Sequence, residues 1–384
     1  MTLLIPKPLE HLIDVKKIKY KNEYIKTVHL FHLVHRFIYE WTFDRKDVPL
    51  YSKTLQNIYG MKYHLLLEYL MENSIIKQTG NYSTETGAAN KYKLLVPLDV
   101  DVLIYQSKDY VFNKNYLTYL EEKKKSILDV KSPIPIPVRK KLLSDLKSVT
   151  ITNYNEAIRF INEAIKNNRR KYLKNLIMIT KLRDGDIFWD FDKHGRFHSN
   201  LTSLMKDIRE NYLLIDGEPI RSLDIKTSQP FFLVQIMKRE WLVNSDPEIQ
   251  QFIKLVETGD LYNHFIQRYP DMFTDRKSVK PMVFKCLFDE EKYNHVYKEL
   301  FRSEFPVVYE FIENYHGNYG EPLWKTLQRM ESQLIFGTIY PIIISEIKGI
   351  KMFSVHDSIH YPEKYHGRVK KIWDAALEEV INKG

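Results

Sequence analysis

The chain has 384 residues, 44% of them hydrophobic, which is enough for two or three domains and a sizeable core. Cys286 is the only cysteine, which excludes an intrachain disulfide and argues against a zinc site built on thiolates; no apolar run reaches the length of a membrane span, so a cytoplasmic protein with no membrane partner is expected. The net charge of +9 is uneven: residues 1–150 hold 24 Lys and Arg against 16 Asp and Glu while the rest is nearly balanced, which points to an N-terminal half that grips a polyanion, lysine-rich composition from an AT-rich genome being the plain alternative.

Residues 28–98 read as a compact helical unit ending in a hairpin. Residues 28–41 form a mixed apolar helix, and 52–60 a short helix ending at Gly60. Residues 62–73 form a third helix with Leu65, Leu66, Tyr69 and Leu70 on one face. Residues 74–78 and 91–96 are strand-like around a turn-rich segment. This order resembles a winged-helix domain of the kind found in plasmid replication initiators. The resemblance implies that the helix beginning at Lys62 enters the major groove, with Lys91 and Lys93 on the wing near phosphates. Winged helices also dock proteins, so residues 1–125 are read as a nucleic-acid-binding or docking domain. Residues 126–150 follow as a basic linker, within a lysine-rich stretch that also carries Pro133, Pro135 and Pro137. Residues 154–179 are helical and amphipathic, and the basic knot Asn167-Asn168-Arg169-Arg170-Lys171 is either a phosphate contact or a solvated face.

Three later segments carry chemistry. Ser222-Leu223-Asp224-Ile225-Lys226-Thr227-Ser228-Gln229-Pro230 and Phe353-Ser354-Val355-His356-Asp357-Ser358-Ile359 each set an aspartate beside an apolar run with β character. Two carboxylates on rigid elements are what a pair of Mg²⁺ ions roughly 3.5–4 Å apart requires for phosphoryl transfer. Between them, Arg276, Lys280, Phe284 and Phe288 recur every four residues, which on a helix makes one stripe of two cations and two rings. Such cations hold a triphosphate while a ring stacks on a base. Either aspartate alone would ordinarily be a turn residue.

In this order the segments resemble the three motifs of the A-family polymerases, which include bacterial repair-type DNA polymerases and phage-type single-subunit RNA polymerases. His194-Gly195-Arg196-Phe197-His198-Ser199 and Thr258-Gly259-Asp260-Leu261-Tyr262 resemble flanking family segments, so the likeness covers about residues 190–365. Within the family the chain resembles the mobile-element primase-polymerases of the kind found in staphylococcal cassette chromosomes. The resemblance implies that Asp224 and Asp357 are catalytic and hold two Mg²⁺ ions, Mn²⁺ being able to substitute, with the Ile225 carbonyl as a further oxygen. Arg276 and Lys280 would contact the triphosphate, Phe284 the sugar and base, and Phe288 the templating position. Arg196 and Gln333 would reach the primer-template minor groove, with Gln328 and Glu331 beside Gln333, and His356 would lie by the primer terminus. Asp190 and Asp192 suggest a nuclease pair, but the nearby Gly195-Arg196 fits the polymerase segment better.

Several residues depart from the family. Pro281 stands inside the Arg/Lys helix, and Phe288-Asp289 replaces a usual Tyr-Gly. Gln229 replaces the glutamate that excludes a ribose 2′-OH in the DNA polymerases, and Ser358 is reminiscent of the RNA polymerases. Both of these last changes point to relaxed sugar choice.

The expected fold is α+β: a winged-helix-like domain, then residues 151–384 as a reduced right-hand polymerase with an antiparallel palm, a helical fingers insertion at about 230–345 and a small or absent thumb. The expected function is template-directed nucleotidyl transfer, a DNA primase-polymerase replicating a plasmid or mobile element. DNA template and primer, NTP or dNTP, and a small accessory protein or helicase are its partners. The rival readings are a dedicated single-subunit RNA polymerase and a non-catalytic replication-initiator DNA-binding protein.

Overall fold

The computed structural model describes every residue except 84, 86, 100, 129–133, 193, 241–245, 289–295 and 384. Helices predominate, and the sheets are small and antiparallel, an α+β arrangement. The chain divides into two compact units, but not at the expected boundaries of 125 and 150. One unit is Met1–Val130, Val149–Trp189 and Ser199–Gly217; the other is Lys131–Ser148, Asp190–His198 and Glu218–Gly384.

In the first unit the helix Thr27–Thr42 is the central element. Leu30, Phe31, Leu33, Val34, Phe37 and Ile38 are all buried. A helix packed nearly all round has no one-sided stripe, which explains its mixed apolar pattern. There follow the strand Val48–Leu50, the helices Ser52–Tyr59 and Tyr63–Glu72, and the strands Ile76–Gly80 and Asn90–Leu94. Asn90–Leu94 lies in the middle of its sheet, with Val48 opposite Tyr92 on one side and Lys77 opposite Lys93 on the other. Gly60 closes the Ser52–Tyr59 helix at φ 86°, a conformation that suits glycine. Strand alternation buries Tyr92 and leaves Lys91 and Lys93 exposed.

The region 154–179 is two helices, Tyr154–Ile165 and Arg169–Arg183. The break falls in the basic knot, because the Asn168 side chain caps the second helix by accepting from the Lys171 amide at 3.0 Å.

The described part of the expected linker 126–150 is not a linker. Residues Ile136–Leu146 form a helix with Val138, Leu142 and Leu146 buried. Pro135 and Pro137 lie at its N-cap and in its first turn, where a missing N–H has no intrahelical partner to lose. Asp145, 2% exposed, pins the helix. It receives hydrogen bonds from Lys141 Nζ at 2.5 and 2.6 Å, the Tyr340 hydroxyl at 3.0 Å and the Met352 amide at 3.1 Å. The same lysine reaches the Ile350 carbonyl at 2.8 Å.

The second unit is built on three antiparallel strands. Ser358–Pro362 lies between Phe353–Val355 and Glu218–Asp224. Between the first and last two of these strands in the chain come helices, among them Ser228–Arg239, Pro247–Thr258, Leu261–Arg268, Arg276–Phe288, Pro306–Tyr319 and Leu323–Ser332, in the span expected for the insertion. Arg276–Phe288 runs through Pro281 without ending there. Leu323–Ser332 continues into a π-helical stretch, Gln333–Ile339, a departure that often accompanies functional sites. The C-terminal helix His366–Lys383 follows the sheet.

Candidate active site

Asp224 is the last residue of its strand and exposed, and Ser358 faces it in the strand pair. The Ile225 amide donates to the Asp357 carbonyl at 3.2 Å, so the segments bearing the two aspartates are joined at one end of the sheet. Asp357 belongs to the two-residue turn His356-Asp357, with Val355 paired to Ser358 across its base. Such turns favour positive φ at their first central residue. His356 takes φ 53° there, a conformation uncommon for a side chain larger than hydrogen. Ser358 Oγ donates to the Val355 carbonyl at 2.8 Å, so this serine helps to close the hairpin.

Burial pushes the Asp357 carboxyl up, the charge of Asp224 adds to the rise, and Lys280 and Arg196 oppose it. Four of the expected site residues thus share one electrostatic neighbourhood. Lys280 lies on the exposed face of Arg276–Phe288, together with Arg276 and the half-buried Phe284 and Phe288, while Val279, Met282, Val283, Cys286 and Leu287 face the core. Lys280 Nζ is 5.2 Å from the Phe284 ring centroid, and the Phe284 and Phe288 centroids are 5.1 Å apart. The expected stripe therefore borders solvent. Asp289, the second departure, lies outside the described residues.

Arg276 stands 5.2 Å over the ring of Tyr262, which is 7% exposed. Burial raises the Tyr262 phenol, Arg276 opposes the rise and Asp357 adds to it. The flanking segment with Tyr262 thereby joins the site.

Arg196 follows a tight turn organised by Asp192, which accepts from the amides of His194 at 2.8 Å and Arg196 at 2.9 Å and is 3.2 Å from His198 Nε2. Burial works against the charged form, but these hydrogen bonds hold the Asp192 carboxyl below its ordinary range. Asp190 accepts from the Phe191 amide, so each acid of the suspected nuclease pair has a local backbone partner. The His198 and His356 rings are 5.8 Å apart.

The residue least visible in the sequence is Glu331, 2% exposed. Its Oε1 takes Arg196 Nε at 3.1 Å and the Arg196 NH2 group at 3.0 Å; its Oε2 takes Ser228 Oγ at 3.0 Å and Gln229 Nε2 at 2.6 Å. Burial raises its carboxyl to about 7, with Arg196 opposing and Asp357 adding to the rise. Gln229, 3% exposed, is therefore held by a carboxylate more than a hundred positions away. Gln333 is exposed; its side chain fills the space a Cβ on Gly337 would take, and it lines a recess of about 130 Å³ with Ile134, Pro135 and Phe336.

In the first unit, Lys62 is the residue before the Tyr63–Glu72 helix, and its Nζ is 2.5 Å from Glu23. That helix contains no Lys or Arg, and its Glu68 and Glu72 pair with Lys21 at 2.9 and 3.1 Å. It is poorly charged to face phosphates, whereas Lys91 and Lys93 are open.

Among the described residues no group of three or more His, Cys, Asp or Glu is placed to hold a metal ion. The donor set at the sheet end is instead two carboxylates with the Ile225 carbonyl, hard oxygens of the kind Mg²⁺ takes. Burial is the main reason the Asp357 carboxyl is raised, and the charge of Asp224 adds to it. No protein-family model matches the chain, and no curated protein is significantly similar to it. No helix among the described residues is long and apolar enough to cross a membrane.

Proposed function

We propose that the chain is a template-directed nucleotidyltransferase, a primase-polymerase of a plasmid or mobile element with a reduced A-family-like palm and fingers. The observation that carries this reading is the joining of the Asp224 and Asp357 segments at one sheet end, within the electrostatic reach of Lys280 and Arg196. A solvated surface helix and two turn aspartates have no reason to converge in this way.

In this reading Asp224, Asp357 and the Ile225 carbonyl would hold two Mg²⁺ ions, or Mn²⁺, whose charge would offset that developing at the α-phosphate. Arg276 and Lys280 bind the triphosphate of an NTP or dNTP from the exposed face of their helix, and Phe284 offers a ring to the base. Tyr262 supports the Arg276 guanidinium from below. Phe288 stands toward the templating position, and His356 at the hairpin tip toward the primer terminus. The primer 3′-OH, or that of a first nucleotide, forms the bond to the α-phosphorus and pyrophosphate leaves.

The helix, strand, helix, helix and hairpin order of residues 27–94, with its three-stranded sheet, supports a winged-helix reading for that segment. DNA contact through Lys91 and Lys93 suits it better than contact through the Tyr63–Glu72 helix. A small accessory protein or helicase would supply processivity. Gln229 and Ser358 favour, as the second reading, a dedicated RNA polymerase.

The test is to incubate the protein with single-stranded DNA, with and without primer, and labelled NTPs or dNTPs with Mg²⁺, and to size the products. Template-length products support the reading. Tight DNA binding with no synthesis from any nucleotide under Mg²⁺ or Mn²⁺ leaves the replication-initiator reading in its place.

A further inference from the structure

We propose that the first unit carries a binding site for single-stranded nucleic acid. The site is a recess between the end of the Thr27–Thr42 helix and the basic knot at 167–171, where a base lies against Trp41 and flanking phosphates meet Lys46 and Lys93. The inference rests on reading the first unit as a nucleic-acid-binding one and needs nothing of the polymerase chemistry. It starts from the knot, which is not a plain solvated face. Arg170 stands 5.2 Å from the centroid of the Trp41 ring and pairs with Asp44 at 2.8 Å. Lys174 stands 4.3 Å from the Phe43 centroid, and Arg169 Nε donates to the Leu98 carbonyl at 2.8 Å. The start of the Arg169–Arg183 helix is thus docked on the end of Thr27–Thr42 and on the segment that follows the strand Asn90–Leu94.

These elements border a recess of about 430 Å³. Sites for small ligands span roughly 300–1,000 Å³, so it has room for a base with its sugar. The half-buried Trp41, with Leu95 at 40% exposure and Pro97, gives it an apolar wall. Among the described residues that line it, four are cations, Arg45, Lys46, Lys93 and Arg169, against one acid, Asp99. Arg45 is paired with Glu40 at 2.9 Å and Arg169 is engaged by Leu98, which leaves the exposed Lys46 and Lys93 best placed to receive an anion. A ligand that matches both features is a polyanion with flat apolar faces, and nucleic acid is such a polymer. A duplex keeps its base faces stacked within itself. A single strand can lay one base on the indole while its phosphates follow the cations.

The test uses the full chain without nucleotide and measures, by fluorescence anisotropy across a salt series, the Kd of a labelled oligothymidylate and of a duplex of equal length. Trp41→Leu removes the ring and no charge. It is expected to weaken single-strand binding about tenfold, with the salt slope and duplex binding as in wild type, and Trp41→Phe, which keeps a ring, to recover most of the loss. Lys46→Glu is expected to weaken single-strand binding about tenfold at low salt, far more than duplex binding, and to lower the slope of log affinity against log salt by about 1. If Trp41→Leu does not fold, as judged by its melting curve, Lys46→Glu on the exposed rim decides the matter. Single-strand affinity unchanged by these substitutions, or lost equally with duplex affinity, would overturn the inference and leave the recess to a partner protein or to duplex DNA. A protein with this binding pattern and no synthesis would lose the polymerase reading alone; synthesis without the pattern would remove this inference alone.

Discussion

The Ile225 amide donates to the carbonyl of Asp357 at 3.2 Å, and by this bond two short segments from distant parts of the chain become one end of a sheet. The carboxyl of Asp357 is raised there by burial and by the charge of Asp224. Asp224→Ala and Asp357→Ala should each lower nucleotide incorporation by at least about a thousandfold while leaving the melting curve and DNA binding nearly as in wild type. Near wild-type incorporation by either variant would dissociate these residues from the chemistry.

Lys280 lowers the Asp357 carboxyl and stands on the exposed stripe with Arg276. Lys280→Ala should raise KM for nucleotide roughly tenfold and lower kcat. It should also move the acid limb of the rate profile to higher pH, because the cation that held Asp357 down has gone. Unchanged nucleotide dependence would place the stripe away from the substrate.

His32 and His35 are buried in the first unit, and His35 Nδ1 accepts from the Leu4 amide at 2.9 Å, which requires a neutral ring. Burial first, then neighbouring cations, lowers His29 to about 4, His35 to about 3, and His32 well below its ordinary value. The unfolded chain takes up protons near pH 6.5 that the folded chain refuses. Stability from these groups is therefore complete above about pH 6.5 and is lost progressively as pH falls toward 3–4, each pH unit in that window costing on the order of 1.4 kcal/mol per histidine. Denaturant unfolding of the whole protein at pH 7 and pH 5 measures the difference. A flat profile would mean that the rings are charged in the folded state.

Asp145 accepts from Lys141, Tyr340 and Met352 in the core of the second unit. Asp145→Ala strands a lysine and two donors and should destabilise the protein by about 3 kcal/mol, against about 1 kcal/mol for Tyr340→Phe. Urea melts that rank the two in the opposite order would show that the helix Ile136–Leu146 is held by its apolar face alone.

Lys91 and Lys93 are the open cations of the central strand in the Val48–Leu94 sheet. Replacing both by Ala in the full chain should weaken DNA binding and reduce the slope of log affinity against log salt by about 1 to 2. A slope unaltered by the change would assign the N-terminal unit to protein docking.

The sequence by itself determined the local pieces. Apolar runs with β character beside Asp224 and Asp357 announced strands, and the four-residue spacing of Arg276, Lys280, Phe284 and Phe288 announced one helical face. These are properties of neighbours along the chain, and short-range backbone geometry governs them. The three helices and the hairpin of residues 27–94 were legible for the same reason, whereas the strand Val48–Leu50 was not.

Tertiary structure alone decided the rest. Pro135 and Pro137 suit a linker and the start of a helix equally well; burial of Val138, Leu142 and Asp145 in the second unit selected the helix. The helical run 154–179 broke where Asn168 found the Lys171 amide. In the sequence Glu331 is one of three polar residues, with Gln328 and Gln333, grouped as an expected minor-groove contact. Only packing removed its carboxylate from water, and a buried carboxylate must gather donors, which it found in Arg196, Ser228 and Gln229. Contacts across a hundred or more positions leave no periodicity to read, because they follow from how faces pack.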